Sequence, residues 1–236
     1  MVRAQAPGQV CPRSATLNGV APTRNGPINA VIFDLGGVLL DWNPRYLYRK
    51  MFDDEEAMER FLGEVCTMTW HEANDRGVPF EVTCAQLAAE HPGHAEHIWA
   101  WGTRTEEMVG GAIDGTVEIL RELRENRSVR LFALTNMEAH TYPLRRERFE
   151  FLRWFEGTVV SSAEGVIKPD PRIYEVLLNR YGLDPASTLM IDDSPRNIAA
   201  ARALGMPTIL FRSPEALRAE LEVAGVLAPG GPTPAG

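Results

Sequence analysis

The chain has 236 residues, enough for one large domain or two modest ones, with 44% hydrophobic and 24% charged residues, as in ordinary soluble globular proteins. Its formal net charge of −8 argues against non-specific binding to nucleic acid or to an anionic membrane surface. No apolar run reaches the roughly 20 residues that a membrane-spanning helix needs, so we predict neither a nucleic-acid nor a membrane partner.

The two ends of the chain are predicted to lie outside the folded part. Residues 1–28 are rich in Pro, Gly, Ala, Asn and Arg, show no periodicity and lack the apolar core of a secretory signal. We therefore expect a disordered extension at residues 1–28 and a flexible tail at residues 226–236. The three cysteines, Cys11, Cys66 and Cys84, are scattered without metal-binding spacing, which indicates free thiols in a reducing compartment such as the cytoplasm.

The first predicted strand carries the most informative carboxylate of the chain. Within the run VIFDLGGVLLDW at residues 31–42, a buried strand over residues 29–34 ends on Asp34. Two glycines, Gly36 and Gly37, then allow the backbone to turn tightly. In α/β proteins such a strand presents a nucleophile or a metal ligand at the rim of the sheet.

Residues 43–112 are predicted to be helical, because their periodic stretches have helical spacing and none of them indicates a convincing strand. The helical stretches lie near residues 45–52, 54–65, 81–90 and 95–108. Pro44 and the Gly110-Gly111 pair are the expected hinges. The expected domain division is, in chain order, a first core segment (29–42), a helical insert (43–112) and a second core segment (113–225).

The rest of the chain alternates strand and helix, which predicts an α/β Rossmann-like fold with a mostly parallel sheet and helices on both faces. The predicted elements are a helix at 115–126, a strand at 129–136, a helix near 138–153, a strand at 158–162, a helix near 171–181, a strand at 188–192, a helix at 195–204 and a strand at 207–211. Asp170-Pro171 and Ser194-Pro195 each place a capping residue before a proline at the first helical position. These helix starts converge near Lys168 and Asp193 and favour an anion there.

Four polar strand ends, taken in order, resemble the motifs of the haloacid dehalogenase-like hydrolase superfamily over about residues 29–212. Asp34 matches the nucleophilic aspartate of that family, and Thr135 matches its second-motif Ser/Thr. Lys168 matches the third-motif lysine, and the pair Asp192-Asp193 matches the acidic fourth motif. The resemblance also implies that the helical insert is a cap of the superfamily's first structural class, which closes over the strand ends, excludes water and selects the substrate.

The resemblance implies a hydrolase whose carboxylate attacks phosphorus or an activated carbon. Because phosphoryl transfer needs a divalent cation and donors around the phosphate oxygens, Mg²⁺ is the implied cofactor. The implied catalytic residues are Asp34, Thr135 and Lys168. The implied metal ligands are Asp34, the carbonyl of Gly36, Asp193 and Asp192, the last either as an outer group or as an alternative ligand. The implied substrate-binding residues are Thr135, Asn136, Lys168 and, from the insert, His71 and Glu72.

One departure from the family pattern concerns proton transfer. Phosphatases of this superfamily usually carry a second aspartate two positions after the nucleophile, where this chain has Gly36. Glycine cannot protonate a leaving alkoxide or deprotonate water, a contribution that is typically worth ~10²–10⁴-fold in rate. The leaving group could be a good one, such as an anomeric phosphate, or a halide as in the 2-haloacid dehalogenases, which also lack the second aspartate. Alternatively, a residue of the insert such as His71, Glu72 or Asp75 replaces the missing acid.

The fourth motif favours a phosphatase, because two adjacent carboxylates would repel each other without a cation, whereas the dehalogenase branch resembles a Ser-Ser-Asn motif there. The DLGG variant of the first motif also resembles phosphatases that act on glucose 1-phosphate. We therefore predict a Mg²⁺-dependent hydrolase of a small phosphorylated metabolite, a sugar phosphate in particular, that is a monomer or a homodimer. The alternatives are a metal-independent 2-haloacid dehalogenase and a catalytically weak protein that binds phosphorylated ligands.

Several other polar residues are predicted to be structural. The arginines Arg145, Arg146, Arg148 and Arg153 are expected to form an exposed helix face. The three histidines of residues 91–97 are expected on a solvated surface of the insert, because Pro92-Gly93 breaks any common helix face. Asn197 is expected either to orient a metal ligand or water, or to lie on a helix surface.

Overall fold

A five-stranded parallel sheet forms the centre of the computed structural model, which describes residues 26–138 and 140–229. The described residues form seven strands: β1 (Ala30–Phe33), β2 (Leu40–Trp42), β3 (Val109–Ala112), β4 (Arg130–Thr135), β5 (Gly157–Val160), β6 (Thr188–Asp192) and β7 (Thr208–Leu210). The sheet has the order β5-β4-β1-β6-β7, and every neighbouring pair is parallel. The predicted α/β fold with a parallel sheet is confirmed. The expectations for residues 1–25 and 230–236 fall outside the described residues. Where the structure describes these ends, the expectation is wrong: Val226 and Leu227 are buried in the core, and Ile28 packs against it.

Helices cover both faces of the sheet. The described α-helices are α1 (Arg45–Tyr48), α2 (Glu55–Glu64), α3 (Met68–Asp75), α4 (Phe80–Glu90), α5 (Ala95–Thr103), α6 (Asp114–Asn126), α7 (Thr141–Arg148), α8 (Ser161–Glu164), α9 (Pro171–Tyr181), α10 (Pro195–Ala203) and α11 (Pro214–Val223). Within β1, Val31 and Phe33 pack into the apolar cluster that contains residues of α6 and α11. Ala30 and Ile32 pack into the opposite cluster, which contains residues of α9 and α10. Because both faces are buried, an uninterrupted apolar run forms this central strand.

Most predicted elements are present with shifts of a few residues at their ends, and β6 has the predicted bounds. The helices α3, α8 and α11 were not predicted. Helix α3 was missed because its sequence, MTWHEAND, is polar and only weakly periodic, although Thr67 caps it by accepting a hydrogen bond from the amide of Trp70 (3.1 Å). This omission matters, since α3 carries the side chains that the insert contributes to the site.

The segment between β2 and β3 has an apolar cluster of its own, which includes Tyr48, Phe61 and Trp101. The expectation of no strand in residues 43–112 is wrong for β3, which pairs antiparallel with β2. The Gly110-Gly111 pair that was expected to be a hinge lies in β3, where a side chain on Gly110 would press on the ring of Tyr46. The chain therefore enters and leaves the helical segment through a two-stranded ribbon. The division into core and insert stays a prediction, which the separate apolar cluster supports.

The C-terminal end of α3 is fastened to the parallel-sheet part of the molecule. The hydroxyl of Ser161 donates to the main-chain carbonyl of Asp75 (2.6 Å) and accepts a hydrogen bond from the amide of Met137 (3.0 Å). Gly77, with φ +99°, lies against Ser162, the residue that follows Ser161 in α8. A Cβ added to Gly77 would lie 2.7 Å from the carbonyl oxygen of Ser162. These contacts fix the position of α3 relative to the strand ends.

Among the described helices, none combines the length and the apolar character that crossing a membrane would require. Cys66 and Cys84 are buried free thiols, as predicted, and Cys11 falls outside the described residues. Burial raises the pKa of both thiols, that of Cys84 to about 11, so neither is a reactive thiolate at neutral pH.

We predict that Gly77→Ala destabilises the protein. Alanine is strained at φ +99° and its methyl group would collide with a main-chain carbonyl, so we expect a loss of about 1–3 kcal/mol in the free energy of unfolding. The control is Gly63→Ala in the exposed part of α2, where no atom lies within 4 Å of the added carbon. This control should be neutral or stabilising by up to about 1 kcal/mol. Urea unfolding measures both, and equal effects would contradict the proposed close contact.

Candidate active site

A cavity of about 300 Å³ lies where the carboxyl ends of β1, β4 and β6 meet helix α3. In open α/β sheets this edge is the usual position of a ligand site. Of the residues predicted from sequence to form the site, all except Asp192 line the cavity. These cavity-lining residues are Asp34, Gly36, His71, Glu72, Thr135, Asn136, Lys168 and Asp193.

Lys168 is the central charge of the site. Its side chain is 1% exposed, and its ammonium group contacts Asp34 Oδ1 (2.8 Å) and Asp192 Oδ2 (2.7 Å). It also donates to the main-chain carbonyl of Leu134 at the end of β4 (2.9 Å). Three donors thus meet three acceptors from three strands, which fixes the ammonium group at the sheet edge.

The pKa values of this buried group are displaced together. Removal from water raises the pKa of Asp34 to about 8 against the attraction of Lys168, and the charges of Asp192 and Asp193 add to the rise. Burial works to lower the pKa of Lys168, but the carboxylates of Asp34 and Asp192 outweigh it and hold the pKa above its ordinary value. The lysine therefore stays charged, while the charge on Asp34 depends on what else binds beside it.

The two acids of the fourth motif have different surroundings. Asp192 is fully buried, and its second oxygen, Oδ1, accepts hydrogen bonds from the amide of Ser194 and from Asn197 Nδ2, both at 2.9 Å. Of the two interpretations of Asn197, the structure supports the first, since its buried side chain orients Asp192. The side chain of Ser194 makes no capping hydrogen bond to α10, contrary to the prediction.

Asp193, in contrast, faces the cavity and forms no ion pair with any residue in the described part of the chain. Partial burial, followed by the charge of Asp192, raises its pKa. The structure therefore leaves one carboxylate of the pair available to a ligand, and that carboxylate is Asp193.

The two glycines that follow Asp34 have different surroundings. Gly37 has φ +73°, and a Cβ on it would overlap the carboxylate of Asp193, so only glycine fits. Around Gly36 no atom lies within 4 Å of an added Cβ, so space does not exclude a larger side chain. Within the described chain its carbonyl accepts no hydrogen bond, because the turn uses the carbonyl of Leu35 and the amide of Gly37.

Thr135 and Asn136 are adjacent at the carboxyl end of β4, but their side chains have different partners. Thr135 is buried and lines the cavity, and its hydroxyl lies 3.5 Å from the main-chain carbonyl oxygen of Asn136. The side chain of Asn136 is engaged by the main chain of Lys168: its Nδ2 donates to the Lys168 carbonyl (3.0 Å), and its Oδ1 accepts from the Lys168 amide (2.8 Å). Asn136 thereby positions the lysine, and only its main chain remains for the predicted contact with substrate.

Helix α3 brings His71, Glu72 and Asp75 to the cavity. Trp101 Nε1 donates to Nδ1 of His71 (3.0 Å), and burial lowers the pKa of His71. Glu72 is half-buried and pairs with Arg76 (3.4 Å). The structure thus brings to the cavity the three residues of the insert that the sequence analysis named.

Glu138 and Arg145 are among the cavity residues that sequence reasoning missed. Arg145 was expected on an exposed face but is 4% exposed, with Nε 3.3 Å from Glu106 Oε1. The usable signal was its position four residues after Thr141, because these two residues form the buried face of α7. Arg146, Arg148 and Arg153 are exposed, as predicted.

The expectation of a solvated surface for the three histidines of residues 91–97 is also wrong in part. His94 and His97 are half-buried against the ring of Phe61, and the ring of His97 lies 4.3 Å from that of Phe52. They belong to the packing of the insert rather than to the cavity.

The residues at the sheet edge fit a hard divalent cation. Asp34, Asp192 and Asp193 each have a carboxylate oxygen within 4.8 Å of the others. Because both oxygens of Asp192 are engaged, the remaining donors are Asp34, Asp193 and the free carbonyl of Gly36. All are oxygen ligands of the kind that Mg²⁺ prefers. A cation there would also favour the ionised form of Asp34.

The relatives of this chain include named phosphatases. The sesquiterpene phosphatase astK of Aspergillus oryzae is 31% identical over 178 residues, covering 75% of this chain and 86% of that protein. The phosphorylated carbohydrates phosphatase of Thermotoga maritima is 23% identical over 190 residues, covering 77% and 84%. Acyl-CoA dehydrogenase family member 10 of Mus musculus is 39% identical over 215 residues, which are 82% of this chain but 19% of that longer protein.

Solved structures with this fold belong to proteins with different names and activities. A HAD family enzyme of Bacteroides thetaiotaomicron, in complex with magnesium and inorganic phosphate, has a TM-score of 0.59 at 19% identity. The match covers 79% of this chain and 95% of that one. The L-2-haloacid dehalogenase of Xanthobacter autotrophicus has a TM-score of 0.60 at 22% identity, covering 86% and 85%. At these identities the likeness shows the fold alone, and the fold does not separate the two chemistries.

The family itself is shown by sequence. The family model described as haloacid dehalogenase-like hydrolase matches residues 28–205, which contain the four motif positions and the whole helical insert. The chain belongs to the haloacid dehalogenase-like hydrolases.

Proposed function

We propose that this hydrolase is a Mg²⁺-dependent phosphatase of small phosphate monoesters, sugar phosphates in particular, with Asp34 as its nucleophile. The observation that carries the proposal is the unpaired carboxylate of Asp193 beside Asp34. Lys168 offers one positive charge to three neighbouring carboxylates, so a divalent cation would complete the balance. Displacement of a halide by Asp34 would have no use for Asp193 in this position.

The residues of the site divide the work of phosphoryl transfer between them. The Asp34 carboxylate attacks phosphorus and forms an acyl phosphate, which water then cleaves at phosphorus to release phosphate and regenerate Asp34. Lys168 holds Asp34 in place, and the hydroxyl of Thr135 donates to a phosphoryl oxygen. Asp34, Asp193 and the Gly36 carbonyl would hold Mg²⁺, which when bound neutralises and orients the phosphoryl oxygens.

The cavity supports a polar organic group on the phosphate. Glu72, Asp75 and Thr105 of the insert and Arg145 of α7 line the cavity, and these are donors and acceptors suited to hydroxyl groups. The ring of Trp42 adds one flat apolar face. The name of the Thermotoga maritima relative agrees with a carbohydrate, whereas that of the Aspergillus oryzae relative points to an apolar alcohol. The charged lining favours the carbohydrate.

We further propose the finer assignments that the sequence suggested. The DLGG motif resembles the first motif of phosphatases that act on glucose 1-phosphate, which supports a substrate of that type. The separate apolar cluster supports a helical insert, between residues 43 and 112, that acts as a cap of the first structural class. The buried free thiols of Cys66 and Cys84 support a reducing, cytoplasmic location. We propose a monomer or a homodimer.

A second candidate function is 2-haloacid dehalogenation. Two observations favour it: no carboxylate follows Asp34 at Gly36, and the buried guanidinium of Arg145 in the same cavity could bind the carboxylate of a haloacid. The position of Asp193 is the reason for ranking this function second.

We predict that hydrolysis depends on Mg²⁺. Chelation should lower the rate on 4-nitrophenyl phosphate or a sugar phosphate more than ~10²-fold, and added Mg²⁺ should restore it. Asp193→Asn should raise the Mg²⁺ concentration that gives half-maximal activity, while Asp53→Asn, at an exposed position of the insert, should not. Full activity after chelation, together with halide release from a 2-haloacid, would decide for the dehalogenase.

We predict that Asp34→Asn abolishes turnover without unfolding the protein. The amide has nearly the shape of the carboxylate but is a poor nucleophile, so we expect kcat to fall by at least about 10³-fold. Phosphate binding, measured by calorimetry with Mg²⁺ present, checks that the site is intact. Turnover close to that of the original chain would exclude Asp34 as the nucleophile. Lack of turnover in the original chain, with phosphate binding retained, would favour a binding protein.

We predict that Lys168→Met inactivates the protein and also destabilises it by about 3–5 kcal/mol near pH 8, because two buried carboxylates lose their cation. The loss should shrink as the pH falls, since protonation of Asp34 removes uncompensated charge. Lys50→Met is the control, because its exposed pair with Glu107 (2.8 Å) should contribute less than about 1 kcal/mol. Similar losses in both variants, measured by urea unfolding, would contradict the central role of Lys168.

A further inference from the structure

A second group of titratable side chains lines the same cavity as Lys168. Nε2 of His71 is 3.6 Å from Asp75 Oδ1 and 3.4 Å from Glu138 Oε1. His71 and Asp75 come from one face of α3, and Glu138 follows β4, so the group spans the boundary between the insert and the sheet. All three residues are less than a tenth exposed and line the cavity that holds Asp34.

The hydrogen bond from Trp101 fixes where the imidazole proton lies. An indole N–H can only donate, so Nδ1 of His71 must accept, and the ring proton of the neutral imidazole is on Nε2. Nε2 therefore points a proton at the two carboxylates. A protonated nitrogen cannot ligate a metal, so these three groups do not form a metal site, although their atoms lie within 4.8 Å of one another.

The carboxylates of Asp75 and Glu138 each have an oxygen without a hydrogen-bond donor among the described residues. Asp75 Oδ1 and Glu138 Oε1 are buried and accept no hydrogen bond from any described residue, since Nε2 of His71 is too distant for a good one. Glu138 Oε2 accepts from the hydroxyl of Thr141 (2.9 Å), which leaves Asp75 as the less satisfied acid. Two neighbouring buried carboxylates of this kind share a proton rather than both ionise.

The surroundings of Asp75 raise its pKa, although two nearby cations oppose the rise. Burial, followed by the charges of Glu138 and Glu72, raises the pKa of Asp75 to about 8, while Lys168 and Arg145 oppose the rise. His71, which is neutral, adds no charge that would lower it. At neutral pH Asp75 is therefore a carboxylic acid with a transferable proton in the cavity that Asp34 also lines.

We propose, on the basis of the phosphatase function proposed above, that Asp75 is the general acid and base that Gly36 cannot be, with His71 and Glu138 as its positioning residues. The main-chain contact between Asp75 and Ser161 (2.6 Å) holds this acid in place against the sheet. A residue of the insert thus supplies the function that relatives of this chain place in the first motif.

Asp75 gives up a proton in the first step of the proposed reaction and takes one back in the second. In the first step the phosphorus–oxygen bond to the leaving group breaks, the bond from phosphorus to Asp34 forms, and the Asp75 proton passes to the leaving oxygen. In the second step water attacks phosphorus, the bond to Asp34 breaks, and the Asp75 carboxylate takes the proton of the water. Phosphate and an alcohol are released, and both aspartates return to their starting states.

The test compares two leaving groups in the full-length chain with Mg²⁺. Asp75→Asn should lower kcat/KM for a simple alkyl phosphate about 10²-fold but leave 4-nitrophenyl phosphate within about 5-fold, because nitrophenolate needs no proton. The alkyl phosphate rate of the original chain should fall above about pH 8, where Asp75 ionises, and this limb should be absent in Asp75→Asn. Asp53→Asn, exposed on the insert, is the matched control and should change neither property.

A rescue variant separates chemistry from structural damage. Since a Cβ added at Gly36 meets no atom within 4 Å, Gly36→Asp added to Asp75→Asn should recover much of the alkyl phosphate rate. Equal losses on both substrates, with the pH profile unchanged and no rescue, would overturn the role of Asp75 alone. If the original chain hydrolyses neither ester, the proposed phosphatase function falls, and the role of Asp75 falls with it.

A readout that needs no turnover accompanies these rates. An acid whose pKa is raised on folding stabilises the protein at low pH and less so as the pH rises toward 8. The midpoint of thermal unfolding should therefore fall less between pH 6 and pH 9 in Asp75→Asn than in the original chain. An identical pH dependence in both proteins would show that Asp75 does not hold the proton and would overturn the inference.

Discussion

The ammonium group of Lys168, held between the carboxylates of Asp34 and Asp192, is the interaction on which the site depends. It joins the ends of three neighbouring strands and is almost completely out of water, where an unpaired carboxylate would be strongly unfavourable. The side chain of Asn136 fixes the main chain of this lysine through two hydrogen bonds. With the ammonium group so constrained, one carboxylate oxygen of Asp34 is held by the lysine and the cavity edge stays open to a ligand.

Neighbouring residues of the same type have different roles in this site. Asp192 gives both oxygens to internal donors, whereas Asp193 turns into the cavity. Gly37 is required because it passes against Asp193, whereas Gly36 has room for a side chain that the chain does not carry. Two adjacent acids and two adjacent glycines thus look equivalent in sequence but differ in what surrounds them. The missing carboxylate at Gly36 is a chemical feature and not a steric necessity.

In the mechanism proposed above, side chains of the helical insert supply the proton transfer that Gly36 cannot. Family structures with different activities share this fold, so side chains in the cavity rather than the sheet decide the reaction. Here α3 contributes His71, Glu72 and Asp75, and its C-terminal end is anchored to the sheet part by Ser161. A polar, capped helix of eight residues can carry such groups, because its stability comes from these contacts more than from its own propensity.

The sequence by itself determined the parallel sheet and the residues at its carboxyl edge. Strands with both faces buried require continuous apolar runs, and the polar residues that end them, such as Asp34 and Thr135, are visible without coordinates. Only the tertiary structure decided that Asp193 and not Asp192 is available, that Arg145 is buried, and that Glu138 meets His71. These properties arise from contacts between segments far apart in the chain, such as α3 with the end of β4, and no local pattern records them.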